Sequence, residues 1–478
     1  MPRIIVLGGG IGGLTAAMLL ARDGHDVTVL ERDAAPVPET LDEACEAWMR
    51  GGVAQFRQAH YLQPRGREVL DQELPDVTRA LAAAGGCRFD ALSVMPPTLA
   101  DRAPRAGDER FATLTGRRPV VEHVLARAAQ DEPRLSVHRG TGARELITDR
   151  FNGVLHVTGV RTDGGDELRG NLVVDATGRR SPLARWLADA GAPAIHEEAE
   201  DSGFLYYTRF FRASNGGSMP QFRAAPLTAF ESFSILTLPA DNDTWSVTLY
   251  LAARDRPLKA LRHADVWPAV FDACPRHAHW LDGEPISDVL PMGGISDRYR
   301  RLAPGGRPVA TGVATVADAW ACTNPSNGRG MALGMVHAQA LRDVVREHLD
   351  EPHRFAEAWD EATERALTPW YRTTVAETRA RLRALDAART GTRLSPPSDP
   401  AAAAQALLPV AAMRDPELFR GFLETRACLA TPDEVLGRPG VVERVLALAA
   451  DGAPPPAGPT RAQLLGILAT RPRGQVAA

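Results

Sequence analysis

Near the start of the chain, within "IIVLGGGIGGLTAAMLLARDGHDVTVLER" (4–32), Gly8, Gly10 and Gly13 stand in the spacing G-x-G-x-x-G, with Gly12 inside the same turn. The spacing suits a chain that must turn sharply off a strand, admit a pyrophosphate against its backbone and pack a helix tightly on a sheet. A helix from Leu14 to Arg22 would then aim its N-terminal amides and positive dipole end at the phosphates. Glu31 closes the run "DVTVLE" and is followed by Arg32. A carboxylate there can accept hydrogen bonds from a ribose and disfavours a 2′-phosphate, so the ADP-ribose of FAD or NAD fits better than that of NADP.

Two later segments carry the same kind of chemistry. "NLVVDATG" reads as a short buried strand ending in Asp175-Ala176-Thr177-Gly178, where small residues allow a ligand close to the backbone. "RPVATGVATVADAWACTNPSNGRGMALGMVHAQAL" (307–341) reads as a strand leading to Asp318, a Pro/Gly-rich turn from Pro325 through Gly328, and a helix from about Gly330-Met331. Asp318 suits a ribityl hydroxyl, and the helix start presents a second set of free amides.

Together the three segments resemble the p-hydroxybenzoate-hydroxylase-like flavoproteins, the group A FAD monooxygenases. The resemblance implies that the first motif holds the ADP half of FAD and that Asp175 and Gly178 line the cleft. It also implies that Asp318 binds ribityl or pyrophosphate, and that the turn Pro325 to Met331 points at the flavin N1–C2=O edge. "MRGGVAQFRQAHYLQPRGREVLDQELPDVTRALAAAGG" (49–86) is similar to a segment of bacterial polyketide epoxidases and related FAD oxidoreductases, and by that similarity Arg50 contacts the FAD. "GFLYYTRFFR" (203–212) resembles the strand that opens their substrate domain. The chain departs from the pattern at Ala317, where relatives carry glycine, and at Met331-Ala332. "DATG" in place of "DADG" favours the epoxidase side of the family over the phenol hydroxylases.

The elements that would position these groups follow from periodicity. The predicted class is α/β: a discontinuous Rossmann-like FAD-binding domain (1–200 and 285–350), an inserted antiparallel β-sheet substrate domain (201–284) and a helical C-terminal region (351–478). In the insertion, "FLYYTRFFRA", "SFSILTLP" and "TWSVTLYLAA" are β-branched and aromatic runs parted by turn-rich "SNGGSMPQ" and "ADNDT". The period of two sets Phe204, Tyr206, Thr208 and Phe210 against Leu205, Tyr207, Arg209 and Phe211. Tyr206, Tyr207, Arg209 and His60 are candidate substrate contacts, each weighed against a packing role. After Arg342 the pattern is helical, with a break at Pro369 and linkers at 394–405 and 451–459. Trp359 and Trp370 read as helix-packing core, and Cys322 as a small buried apolar group.

Composition narrows the classes. The chain has 478 residues and a net charge of −4, which gives no electrostatic case for nucleic acid or an acidic membrane. Five widely spaced cysteines without a C-x-x-C pair suggest neither a metal site nor a disulfide framework. A strand opening at Arg3 and the lack of a long apolar run predict no signal peptide, no membrane span and a cytoplasmic protein.

The resemblance implies an FAD-dependent monooxygenase that epoxidises or hydroxylates a hydrophobic, polyketide-like intermediate with O2 through a C4a-hydroperoxyflavin. No general base emerges, which suits epoxidation better than phenol hydroxylation. With one dinucleotide fingerprint, NADH or NADPH binds transiently, or a partner flavin reductase delivers the electrons. Two alternatives share the motifs: an FAD-dependent reductase of a prenyl-like double bond and a non-redox, FAD-scaffolded cyclase. Halogenase relatives depend on an active-site lysine and W-x-W-x-I-P. That tryptophan motif is missing here, and the only lysine, Lys259, lies in "ARDRPLKAL".

Overall fold

Arg3–Leu7 pairs in parallel with Asp26–Glu31 on one side and Leu172–Asp175 on the other. Leu135–Arg139 and Val313–Thr315 extend these to a five-stranded parallel sheet, in the order 313–315, 172–175, 3–7, 26–31, 135–139. Strands covered on both faces read as unbroken apolar runs, as "IIVL" and "LVV" do. The helices Ile11–Arg22, Arg118–Gln130 and Gly330–His348 bury one face. A β-hairpin, Ala143–Phe151 and Val154–Thr162, covers the other with helix Leu183–Asp189. The computed structural model describes residues 1–395, 397–450 and 457–470. Of the linker expected at 451–459, residues 451–456 lie outside that set.

The runs read as strands in the insertion form an antiparallel sheet, Leu227–Ala229, Ser234–Pro239, Thr244–Ala252 and Phe204–Arg212, with Glu284–Pro285 and Leu290–Met292 both on the last. One face packs Tyr207, Phe211, Trp245 and Leu249 against the segment 257–281 and against Leu464 and Leu468 of helix Arg461–Ala469. The other face packs Phe204, Tyr206 and Tyr250 against Ile295 and against Leu382 and Leu385.

Helix Pro352–Ala366 stops before Thr368–Thr390, and Pro369 sits in the first turn of the second helix, where its missing N–H costs no hydrogen bond. The linker expected at 394–405 turns helical at Pro400. Asp399 accepts from the Ala402 amide at 2.7 Å and caps an alanine run of high helix propensity, Pro400–Ala412. Pro416–Arg426 follows, capped by Asp415. Among the described residues no helix is long and apolar enough to cross a membrane.

Candidate functional site

The glycine turn divides its work by position. Gly8 has φ +102°, and a Cβ there would lie 2.6 Å from the Ala176 carbonyl oxygen. At Gly13 a Cβ would fall 2.0 Å from Gly8 O, so strand and helix touch backbone to backbone. At Gly10 a Cβ would meet nothing within 4 Å. That glycine opens into the cleft instead of into protein. Helix Ile11–Arg22 begins three residues before the expected Leu14.

Glu31 lines the cleft with its carboxylate already fixed. Its Oε2 accepts from the Gly9 amide at 2.9 Å and from Arg50 at 2.8 Å, and its Oε1 from the Asp33 amide at 2.8 Å. A carboxylate offers about four acceptor positions, so lone pairs remain for a ligand hydroxyl. Arg50 also meets Glu122 at 2.7 Å and Asp33 at 3.2 Å. It borders the cleft as the hub of three carboxylates. Arg32 lies exposed on the rim of the same cleft.

Asp175 corrects the sequence reading. It is wholly buried and does not border the cleft. Its Oδ1 accepts from the Thr177 amide at 2.9 Å and the Thr177 hydroxyl at 2.6 Å, and its Oδ2 accepts from Ser181. Asp175 therefore shapes the turn that brings Ala176, Thr177 and Gly178 to the cleft wall.

Asp318 does face the cleft, and among the described residues nothing donates a hydrogen bond to it. Burial pushes its carboxyl above the ordinary range, against the pull of Arg118 and Arg179. Ala317, which replaces the usual glycine, adopts φ +51°. Its amide donates to His337 Nδ1 at 3.1 Å, and its Cβ fills the space beside Gly12 and Gly334.

The turn at 325–330 is held from outside the parallel-sheet domain. Gly328 takes φ +62°, and a Cβ at Gly330 would meet nothing within 4 Å. Asn327 Nδ2 donates to Glu377 at 2.5 Å, and Arg426 Nη1 donates to Asn327 Oδ1 at 2.5 Å. Arg329 donates to Glu377 at 2.8 Å and to Thr374 at 2.9 Å. Pro325 and Met331 complete the wall. Cys322 lies nearby, and burial keeps its thiol protonated.

The substrate candidates separate. His60 borders the cleft, with Nδ1–H donating to Gln58 O and Nε2 accepting from Arg118, each at 2.9 Å. Burial, then the Arg118 charge, lowers its pKa to about 3. Tyr206 lies one layer back, its hydroxyl bonded to Asn324 and its ring stacked on Tyr250 at 5.3 Å. Asn324 and Tyr250, not Tyr206, reach the cleft. Tyr207 and Arg209 are on the far face of the sheet. Tyr207 is packed in the core there, and Arg209 is spent on Ser287 O at 3.1 Å.

Residues 6–37 match the NAD(P)-binding Rossmann-like domain family. The chain is 26% identical over 361 residues, 72% of each chain, to Protein Rv3254 of Mycobacterium tuberculosis. It is 26% identical over 205 residues, 41% of each chain, to FAD-dependent monooxygenase ntnJ of Nectria sp. The crystal structure of pqsL, a probable FAD-dependent monooxygenase from Pseudomonas aeruginosa, matches with a TM-score of 0.59 at 18% identity, over 80% of this chain and 96% of that one. This chain shares the fold of that structure.

Within this fold, one connected cleft of about 1330 Å³ joins the glycine turn, Glu31, Asp318 and the 325–331 turn to a chamber under the antiparallel sheet. The chamber has a wall that the sequence did not reveal. Met413, Phe419, Phe422, Leu423 and Arg426 line it from the C-terminal helices, and Trp370, expected as core, borders it beneath Arg329. Helical periodicity showed that these helices bury one face, but not which surface covers it.

Proposed function

We propose that the cleft holds an extended FAD and that the chain uses it to add oxygen to a hydrophobic, polyketide-like molecule lying in the chamber. The continuity of the cleft carries this reading: three turns far apart in sequence meet along one channel that ends in an apolar room. In the division we favour, 1–200 with 285–350 binds FAD, 201–284 roofs the substrate, and 351–478 closes the side.

The residues fit the cofactor. Gly10 and Gly330 leave backbone open to the cleft, and among the described residues the Asp318 carboxyl group receives no hydrogen bond and the buried Asn324 Nδ2 has no partner. Gly8, Gly12 and Gly13 would seat the pyrophosphate, Glu31 the ribose, and Asp318 the ribityl chain. The start of helix Gly330–His348 would face the flavin N1–C2=O edge, where a helix dipole stabilises negative charge by about 0.3–1 kcal/mol. Bound FAD supplies electron transfer and O2 activation. The protein's own task is to orient both molecules and keep water out. The two histidines bordering the cleft, His60 and His337, are held neutral with pKa values of about 3, which supports alkene oxygenation over chemistry that needs a base.

NADH or NADPH, or reduced flavin from a partner reductase, supplies the electrons. The test is incubation of FAD-loaded protein with NADH or NADPH and candidate polyenes, under air and under argon, with product masses read out. A gain of one oxygen atom in air alone is expected. A gain of two hydrogens would point instead to a prenyl-type reductase, and a rearranged product of unchanged mass to a cyclase. Protein that takes up no FAD would overturn the whole reading.

A further inference from the structure

The cleft walls carry three carboxylates, Glu31, Asp318 and Glu377, against twelve arginines. Two of these arginines stand at the chamber end. Arg381, on helix Thr368–Thr390, gives Nη2 to Phe230 O, Phe233 O and Ser234 Oγ at 2.7–2.9 Å. Arg426, the last residue of its helix, gives Nη1 to Asn327. Among the described residues neither forms an ion pair. The carboxylate nearest Arg426, Glu377, is already bound by Arg329 and Asn327. Arg381 and Arg426 thus line, without a carboxylate partner among the described residues, a room whose walls include Leu236, Leu238, Met413 and phenylalanines. Tyr250 borders the same room within electrostatic reach of both Arg381 and Arg426, and among the described residues its hydroxyl has no hydrogen-bond partner.

Burying an unpaired cation among apolar side chains is costly, and a guanidinium is matched by a carboxylate that it can bind through two N–H groups. We propose that Arg381, Arg426 and the Tyr250 hydroxyl form a carboxylate subsite, so that the substrate is an amphipathic organic acid with its apolar body against the sheet and the C-terminal helices. This deepens the monooxygenase reading and rests on it for the word substrate, but the subsite itself can be measured by binding alone.

The experiment is calorimetric titration of FAD-loaded protein at neutral pH with 2-naphthoate and with 2-naphthamide, which differ by the charge. Wild type is expected to bind the acid roughly tenfold to a hundredfold tighter, as charge-assisted hydrogen bonds allow. Arg426→Gln and Arg381→Gln should each remove most of that preference while the amide affinity stays within about twofold, and Arg426→Lys should keep part of it. Equal binding of acid and amide by wild type, or a preference that survives in both glutamine variants, overturns the subsite. So does an Arg426→Gln protein whose FAD affinity falls while its preference for the acid stays, because the guanidinium then serves the flavin. The two readings fail separately. FAD uptake without acid preference removes only the subsite, and acid preference in a protein that takes up no FAD removes only the flavin chemistry.

Discussion

Arg50 and Glu31 meet at 2.8 Å with side chains 1% and 7% exposed, and the oxygen they share also accepts from the Gly9 amide. The strand-end carboxylate is therefore locked to the glycine turn by a cation from a different segment. Its remaining lone pairs have a fixed direction before any ribose arrives.

Arg50→Met should strand Glu31, Asp33 and Glu122 without their common partner. Removing one member of a buried ionic cluster costs about 3–5 kcal/mol, and FAD affinity should fall with it. Arg50→Lys should recover only part of both, because an ammonium cannot reach three carboxylates with a rigid fork. Denaturant melts and FAD fluorescence titration read the two effects. A methionine variant as stable as wild type would show that the cluster holds nothing.

The two glycines of the turn should fail in different ways. Gly13→Ala drives a Cβ into Gly8 O and is expected to cost about 3 kcal/mol or more, since backbone on both sides cannot yield. Gly10→Ala projects into the cleft, so the protein should melt within about 0.5 kcal/mol of wild type yet lose FAD affinity. Thermal melts paired with FAD titration separate the cases, and normal FAD binding by the Gly10 variant would contradict the placement of the pyrophosphate.

Ala317 stands at φ +51°, a left-handed conformation that costs an alanine about 1 kcal/mol. Ala317→Gly relieves that strain but adds freedom to the unfolded chain worth about 0.4–1 kcal/mol, so stability should change by less than about 0.5 kcal/mol. Ala317→Val should lose about 2 kcal/mol or more, from its β-branch at positive φ and from crowding against Gly12 and Gly334. Chemical denaturation of both variants checks the contrast.

His337 links stability to pH. Burial keeps its folded pKa at about 3, while the unfolded side chain titrates near 6.5. Between those values the unfolded state binds the extra proton, so stability falls as the solution is acidified, by up to about 1.4 kcal/mol per pH unit from this group. His337→Gln removes that slope. Melts from pH 7 to pH 4 should therefore show the gap between wild type and variant shrinking toward acid, and a constant gap would contradict the assignment.

The cleft lining was legible where the chemistry is local. Gly8, Gly13 and Gly328 are read from backbone demands that a few neighbouring residues impose, and Asp318 from its place at the end of a strand. Asp175 misled because a strand-end acid looks like a ligand, although Thr177 two residues on was a visible signal for a local turn bond. Period two separated Tyr206 from Tyr207 and Arg209 but could not say which face looks at the cleft, since both faces of that strand are covered. Arg381, Arg426 and the helical wall were illegible because their positions depend on contacts across much of the chain, such as that of Arg426 with Asn327, 99 residues earlier.

The edge strand Val313–Thr315 has a consequence for synthesis. Until the ribosome has made it, Leu172–Asp175 presents a row of unpaired backbone groups on an apolar sheet, a surface open to wrong partners. The last wall arrives later still, with Arg426. A nascent chain thus carries its glycine turn long before Arg426, and until that residue is made the cleft beside the turn lacks a wall.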